Sequence, residues 1–334
     1  MKIIVTDRNL APHRARFEDA LAPGCSVSWY DSSGDASVLD DLAEAEVYVG
    51  GVFTAPMAAA APNLRLVHVA GAGTDNIAIA DLPERVAVAN TFHHEAAIAE
   101  HVVATTVSLR RGIPAADRAL REGRWASPVH DPAIPQPNTL HGATIGFVGF
   151  GHIGRETWRL FRAFGCDAVA VTASGSTDAS AEGLRWAGDI TRLGSLLRES
   201  DVVVIAVPLS EGTRGLVGER ELRDVGERGI VVNVARGPVV DERALFDALS
   251  GGLIAGAAID VWYAYPGTDG VGEPASLPFA TLPNIILTPH SSGITRQTFL
   301  GRVDDITDNI ARLVRGVPLR NVVRAGRSST EAVS

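Results

Sequence analysis

Two side chains in similar local settings carry the first chemical suggestion. Arg236 lies in Asn233-Val234-Ala235-Arg236-Gly237, and His290 in Thr288-Pro289-His290-Ser291-Ser292-Gly293. Each follows a short apolar run that reads as a strand, Ile230–Val232 and Ile285–Leu287. Ligands of open α/β sheets bind at the carboxyl ends of strands. A guanidinium there can clamp a carboxylate in a bidentate fork, and an imidazole can exchange a proton near neutral pH. Either residue could instead be an ordinary cap or surface turn. A glycine turn, Gly149-Phe150-Gly151-His152-Ile153-Gly154, follows an apolar run over 143–148 and precedes a helix-like segment over 153–164. Strand, Gly-x-Gly-x-x-Gly and helix make a dinucleotide fingerprint. The first glycine permits the turn, the second lets the backbone approach a pyrophosphate, and the third lets the helix pack on the strand with its amides aimed at phosphate. A further run, Ala70-Gly71-Ala72-Gly73-Thr74-Asp75-Asn76, could expose amides to an anion or be a simple turn.

The strand after the fingerprint should end in an acid that binds the adenosine ribose. It reads Ala168–Val171 and ends in Thr172-Ala173-Ser174-Gly175-Ser176, with Asp178 as the nearest acid. The hydroxyls there suit a ribose or a 2′-phosphate, so NAD and NADP both stay open. His93-His94-Glu95 with Glu100-His101 invites a metal. The spacing is not His-Glu-x-x-His, and the carboxylates would not converge with both histidines on one helical face. No metal is expected.

The elements that must position these groups follow a repeated rhythm. Strands are expected at 2–6, 47–50, 66–69 and 86–89, then at 143–148, 168–171, 202–206, 230–232, 257–261 and 285–287, with helices between most of them. This βαβ alternation predicts two doubly wound parallel sheets. A chain of 334 residues fits two domains, and 46% hydrophobic residues can fill both cores. The expected division is 1–96 with 294–322 for one domain and 97–293 for the other, leaving 323–334 as a disordered tail. A net charge of −9 disfavours nucleic acid and anionic membranes. No apolar run reaches about 18 residues, the length of a membrane span. The first residues read as a buried strand rather than a signal peptide. Two isolated cysteines, Cys25 and Cys166, suit free thiols in the cytoplasm.

In this order the motifs resemble the D-isomer-specific 2-hydroxyacid dehydrogenases. The matching pieces are Gly71–Asp75, Ile98-Ala99-Glu100-His101, Gly149–Gly154, Val207-Pro208-Leu209 with Thr213, Asn233–Gly237, Asp260-Val261 and Thr288-Pro289-His290. The resemblance implies two Rossmann-like domains with the active site in the cleft between them, the cofactor domain being inserted. It implies that Arg236 binds the substrate carboxylate, that His290 exchanges the proton, and that the Ala72 and Gly73 amides with His94 contact the substrate. Ile98, Gly149, Gly151, His152, Ile153, Gly154, Thr172, Pro208, Thr213, Val234, Ala235, Arg236, Asp260, His290 and Gly293 would line NAD or NADP. Val52, Phe53, His94 and Trp262 are expected as walls of the side-chain pocket. A homodimer joined through the cofactor domain is implied. Reducing a 2-oxo acid needs an anion clamp, a proton donor and a hydride donor. Arg236, His290 and the fingerprint supply one each.

One position departs from the pattern. Where relatives place a Glu before a Pro, this chain has Tyr265-Pro266. A carboxylate there favours imidazolium; a phenol is neutral near pH 7 and can only hydrogen-bond. The substitution predicts a lowered His290 pKa, with 2-oxo acid reduction falling off at lower pH than in Glu-bearing relatives. Formate dehydrogenases of the same group also carry a neutral residue at that point, and Thr91-Phe92-His93-His94 and Asp260-Val261-Trp262 resemble them. They use Asn where His94 stands. Oxidation of formate or another small anion is the alternative activity, and a nucleotide-sensing protein without catalysis is a third reading. Both Arg236 and His290 argue against the latter.

Overall fold

Central strands buried on both faces and helices with one apolar side produce two parallel sheets, each in its own compact unit. The computed structural model describes residues 1–267 and 269–326. Unit 1 comprises Met1–His94 and Ile294–Ser334, and unit 2 comprises Glu95–Gly293. Among the described residues no helix is long and apolar enough to cross a membrane.

Unit 1 begins with strands β1 (Lys2–Val5), β2 (Ser26–Trp29), β3 (Val47–Gly50), β4 (Leu66–Val69) and β5 (Ala87–Ala89), all parallel. Alternate side chains serve opposite faces, as strand geometry requires. Ile3, Val5, Val47, Val49 and Leu66 pack against the long helix Arg296–Arg315 through Phe299, Val303, Ile306 and Ile310. Ile4, Tyr48, Val67 and Val69 pack on the other face with Val38, Leu42 and Met57. His68, wholly buried, accepts from Asn309 Nδ2 of the long helix at 3.0 Å, and burial pushes its pKa down to about 4.

Unit 2 carries β6 (Thr144–Val148), β7 (Asp167–Val171), β8 (Trp186–Gly188), β9 (Val202–Ile205), β10 (Ile230–Asn233), β11 (Gly256–Ile259) and β12 (Ile285–Leu287). Their spatial order is β12-β11-β10-β9-β6-β7-β8, parallel throughout. The order reverses beside β6, which makes the carboxyl ends of β6 and β9 the switch point of a doubly wound sheet. Helices Glu95–Arg110 and His152–Ala163 cover one face, through Ile98, Val102, Trp158 and Phe161. Helices Leu193–Glu199, Glu219–Val225 and Glu242–Ser250 cover the other.

Three strands lie outside the sequence expectation: β2, β8 and β13 (Val322–Arg324), which pairs antiparallel with β5. All three are edge strands with half-exposed residues. An edge strand keeps one side in solvent and can do without an apolar run, as these three do; β12, also at an edge, keeps one. β13 corrects the expected tail at its start, since residues 323 and 324 belong to the sheet. The cause is Arg324, whose guanidinium donates to the carbonyls of Ile79, Leu82, Pro83 and Val86 at 2.7–3.1 Å. The rest of that tail, 327–334, lies outside the described residues.

Arg324→Ala is expected to destabilise the protein by about 1–3 kcal/mol, the cost of leaving such acceptors unpaired. Arg324→Lys should recover only part of this, because a point charge cannot reproduce the fork. Urea denaturation checks both.

Candidate active site

Every loop in unit 2 that the sequence marks for chemistry lies at the carboxyl edge of the sheet. Gly149 follows β6, Thr172 follows β7, Pro208 lies just beyond β9, Arg236 beyond β10, Asp260 follows β11 and His290 lies beyond β12. Parallel strands in register bring these loops to one side.

The glycine turn shows two different constraints. Gly149 has φ +93°, and a Cβ there would come within 2.5 Å of the Ala206 carbonyl oxygen. It is the close approach that lets the turn sit at the switch point. Gly154 lies under the turn, where a Cβ would meet Gly149 O at 2.9 Å. Gly151 is exposed and opens onto free space, with nothing within 4 Å of a Cβ position. It is also the N-cap of helix His152–Ala163, which has no side-chain cap. Twelve residues of helix thus start at a bare, backbone-only mouth. That is the surface a pyrophosphate takes, so the residues present fit a dinucleotide.

In the loop after β7, Thr172 Oγ1 accepts from Gly175 N at 3.1 Å, and the Ser174 and Ser176 hydroxyls lie 2.6 Å apart. Asp178 accepts from the amides of Ser180 and Ala181 as a helix cap. Its carboxylate is thus committed to the cap instead of leaning back to the strand end. Thr213 closes the turn after β9, donating to Pro208 O at 2.7 Å and accepting from Ser210 N at 2.8 Å.

Asn233 shapes the arginine loop. Its Oδ1 accepts from Ala235 N and its Nδ2 donates to Arg236 O, closing the turn that contains Val234 and Ala235. Arg236 Nη1 donates to Ala235 O at 2.8 Å. Gly237 allows close contact, since a Cβ there would fall 2.3 Å from Trp262 O.

The histidine loop is held by Asp260, which is 1% exposed. Its Oδ1 accepts from Thr288 Oγ1 at 2.6 Å and Ser291 N at 2.9 Å, and its Oδ2 accepts from Ser292 N at 3.0 Å. Trp262 Nε1 donates to Thr288 O at 2.8 Å. His290 sits between these holds with φ +55°, a conformation few non-glycine residues adopt. Burial lowers its pKa below the ordinary imidazole value; nearby Asp260 acts upward and Arg236 downward. Tyr265 OH lies 3.0 Å from His290 Nδ1.

Two expected pocket walls, Phe53 and Trp262, are core residues. Phe53 is wholly buried in the core of unit 1, edge-on to Tyr48, and is no pocket wall. Trp262, at 6% exposure, packs in the core of unit 2 and braces the histidine loop. Ile98 is buried among core residues, while Val52 stays partly exposed. In unit 1 the amides of Ala72 and Gly73 have no backbone acceptor among the described residues, and Asn90 Nδ2 holds the turn through Ala72 O. His94, half-buried, stacks on Phe92. His93 Nε2 lies 2.9 Å from Asp305 Oδ2. Asn233 as a shaping residue was inside a quoted motif, yet only its two hydrogen bonds reveal the role.

Residues 103–292 match the family profile described as "D-isomer specific 2-hydroxyacid dehydrogenase, NAD binding domain". The D-3-phosphoglycerate dehydrogenase of Archaeoglobus fulgidus is 32% identical over 267 residues, 79% of this chain and 48% of that protein. The chain thus spans about half the length of that relative. The glyoxylate reductase of Korarchaeum cryptofilum is 32% identical over 296 residues, 88% of this chain and 83% of that protein. A solved structure of the NADPH-dependent glyoxylate/hydroxypyruvate reductase of Sinorhizobium meliloti, in complex with NADP and malonate, aligns with a TM-score of 0.78 at 26% identity. It covers 98% of this chain and 99% of that one. Motif order, fold and these likenesses agree: the chain belongs to the D-isomer specific 2-hydroxyacid dehydrogenase family.

Proposed function

We propose that this protein is a nicotinamide-dependent oxidoreductase that interconverts a small 2-oxo acid and its D-2-hydroxy acid. The observation that carries the reading is a guanidinium, an imidazole and a bare helix N-terminus on one edge of one parallel sheet. The Gly149–Gly154 turn, with His152 and Ile153, holds the pyrophosphate of NAD or NADP, and Thr172 meets the adenosine ribose. Ile98, Pro208, Thr213, Val234, Ala235, Asp260 and Gly293 are assigned to the cofactor by resemblance. Ala72, Gly73 and His94 are assigned to the substrate in the same way. When bound, the nicotinamide supplies or accepts the hydride.

Arg236 binds the carboxylate and draws electron density toward the carbonyl oxygen. Such preorganised charge stabilises the developing alkoxide. His290 gives that oxygen a proton in reduction and takes one from the hydroxyl in oxidation. The Asp260 clamp holds the backbone on either side of His290. Oxidation of a small anion such as formate is a second reading, favoured by the neutral Tyr265 beside His290.

A homodimer through unit 2 is also proposed. Ile113 and Leu120 on helix Ile113–Arg121 are 49% and 52% exposed, and Trp125 beyond it is 68% exposed. They flank or lie beside a groove of about 900 Å³ that this helix and the loop up to Asn138 line. Its apolar rim suits a second copy of the chain. The two free cysteines support a reducing, cytoplasmic location.

Three outcomes check these assignments. Glyoxylate, hydroxypyruvate and larger 2-oxo acids are assayed with NADH and NADPH, and formate with NAD and NADP. Turnover of at least one 2-oxo acid is expected, with Arg236→Ala lowering kcat/KM by about 10²–10³-fold, the scale of a lost buried charge contact. Formate oxidation with no 2-oxo acid turnover would reverse the ranking of the two readings; binding without any turnover would leave a nucleotide sensor. Gly151→Ala should keep the unfolding midpoint but weaken dinucleotide binding at least about tenfold by calorimetry, since its methyl group fills the cradle. Gly149→Ala should instead destabilise the fold. Leu120→Glu should shift a dimer toward monomer in light scattering.

A further inference from the structure

Of the two hydrogen bonds at Tyr265 one has a fixed direction, and the other depends on the His290 tautomer. The Trp262 backbone N–H donates to Tyr265 OH at 3.3 Å, and the same hydroxyl lies 3.0 Å from His290 Nδ1. An amide nitrogen can only donate, so the phenol oxygen is the acceptor there. Its own hydrogen is then available to Nδ1, 3.0 Å away. With Nδ1 accepting, the neutral imidazole carries its hydrogen on Nε2. A carboxylate at position 265 would do the opposite, because it accepts only and calls for hydrogen on Nδ1. The two rings are tilted by 48° with centroids 5.6 Å apart, and the Asp260 clamp holds the histidine backbone.

We propose that Tyr265 is a positioning residue and proton reservoir, passing its phenolic proton through His290 to the substrate oxygen. The proposal rests on the reading of His290 as the group that exchanges the substrate proton. In reduction, the carbonyl carbon gains a hydride and its oxygen takes the Nε2 hydrogen as a proton. In the same event Nδ1 takes the proton of Tyr265. One O–H bond forms on the product and one breaks on Tyr265, which is left as a phenolate. The imidazole stays neutral, its hydrogen moved from Nε2 to Nδ1. Reset takes one proton from water at Nε2 while the Nδ1 hydrogen returns to the phenolate. The transfer runs downhill because an alkoxide is a much stronger base than a phenolate. In oxidation the same chain runs backwards.

The surroundings favour such a relay over a stored imidazolium. Burial lowers the His290 pKa, so the neutral ring prevails at neutral pH. In unit 2 the charged groups acting on it are Asp260 after β11 and Arg236 after β10, which oppose each other. His101, on helix Glu95–Arg110, also feels Asp260 and is itself shifted toward neutrality by burial.

The test compares pH profiles of kcat/KM for 2-oxo acid reduction in wild type, Tyr265→Phe and Tyr265→Glu. It pairs them with ¹⁵N NMR titration of His290 in the protein without cofactor. The expected wild type shows Nε2–H imidazole through neutral pH and reduction that persists above the His290 titration, which replaces the early alkaline fall-off that the sequence alone predicts. Tyr265→Phe should lower kcat/KM at every pH and lose at least about a further tenfold between low pH and pH 8, its alkaline limb coinciding with the His290 titration. Tyr265→Glu should raise the His290 pKa and move hydrogen to Nδ1. A wild-type limb that follows the His290 titration overturns the relay alone, as does an unchanged profile in Tyr265→Phe or a resting Nδ1–H ring. Absence of 2-oxo acid turnover at every pH overturns the functional reading and the relay with it.

Discussion

The rest of the site depends on one buried carboxylate. Asp260 stands at the end of β11 and collects three hydrogen bonds from the loop that follows β12. A carboxylate withdrawn from water must be compensated in this way or give up its charge. Here the compensation also builds the loop. The Ser291 and Ser292 amides can both reach it only if the backbone turns sharply just before them, and His290 takes the left-handed conformation at that turn. Such a residue costs on the order of 1–3 kcal/mol and persists when its neighbours over-determine it. The Trp262 indole supplies the second hold from the far side of the loop. The same negative charge acts on the imidazole it positions, opposing the effects of burial and Arg236.

Seen from this clamp, the carboxyl edge of the sheet is a set of backbone devices with few exposed side chains. Asn233 fixes the arginine loop through two main-chain bonds, Thr213 closes the turn after β9, and Gly149 makes room for the β9 connection. Precision at Arg236 and His290 thus comes from residues whose own polar atoms are spent on the backbone. Such support lets two long side chains act at a defined place while their neighbours bear the strain.

The central strands were legible in the sequence because burial on both faces demands apolar runs, as at 202–205 and 230–232. Three of the four edge strands were not: Ser26–Trp29, Trp186–Gly188 and Val322–Arg324 have one side in water and lack the apolar run that marks Ile285–Leu287. The placement of Arg236, His290 and the glycine turn beyond strand ends could be read because strand ends and glycine spacing are local properties. The engagement of Asp178 as a cap, the core position of Phe53 and the direction of the bond from Trp262 to Tyr265 are settled by three-dimensional partners. Distance along the chain hides them too: Asp260 meets Ser291 and Ser292 only because two parallel strands lie side by side. The Tyr265 substitution was visible, but its meaning depended on which atom donates.

Unit 2 is a continuous stretch of chain, whereas unit 1 is completed by residues that follow it. The long helix Arg296–Arg315 covers Ile3, Val5, Val47, Val49 and Leu66, and β13 closes the edge at β5. During synthesis from the amino terminus, those apolar residues emerge long before their cover. The nucleotide-binding unit can therefore fold as a unit while the first sheet still shows a bare face and an open edge. For that interval the nascent chain has the two features that invite aggregation, and the arrival of the long helix and β13 removes both.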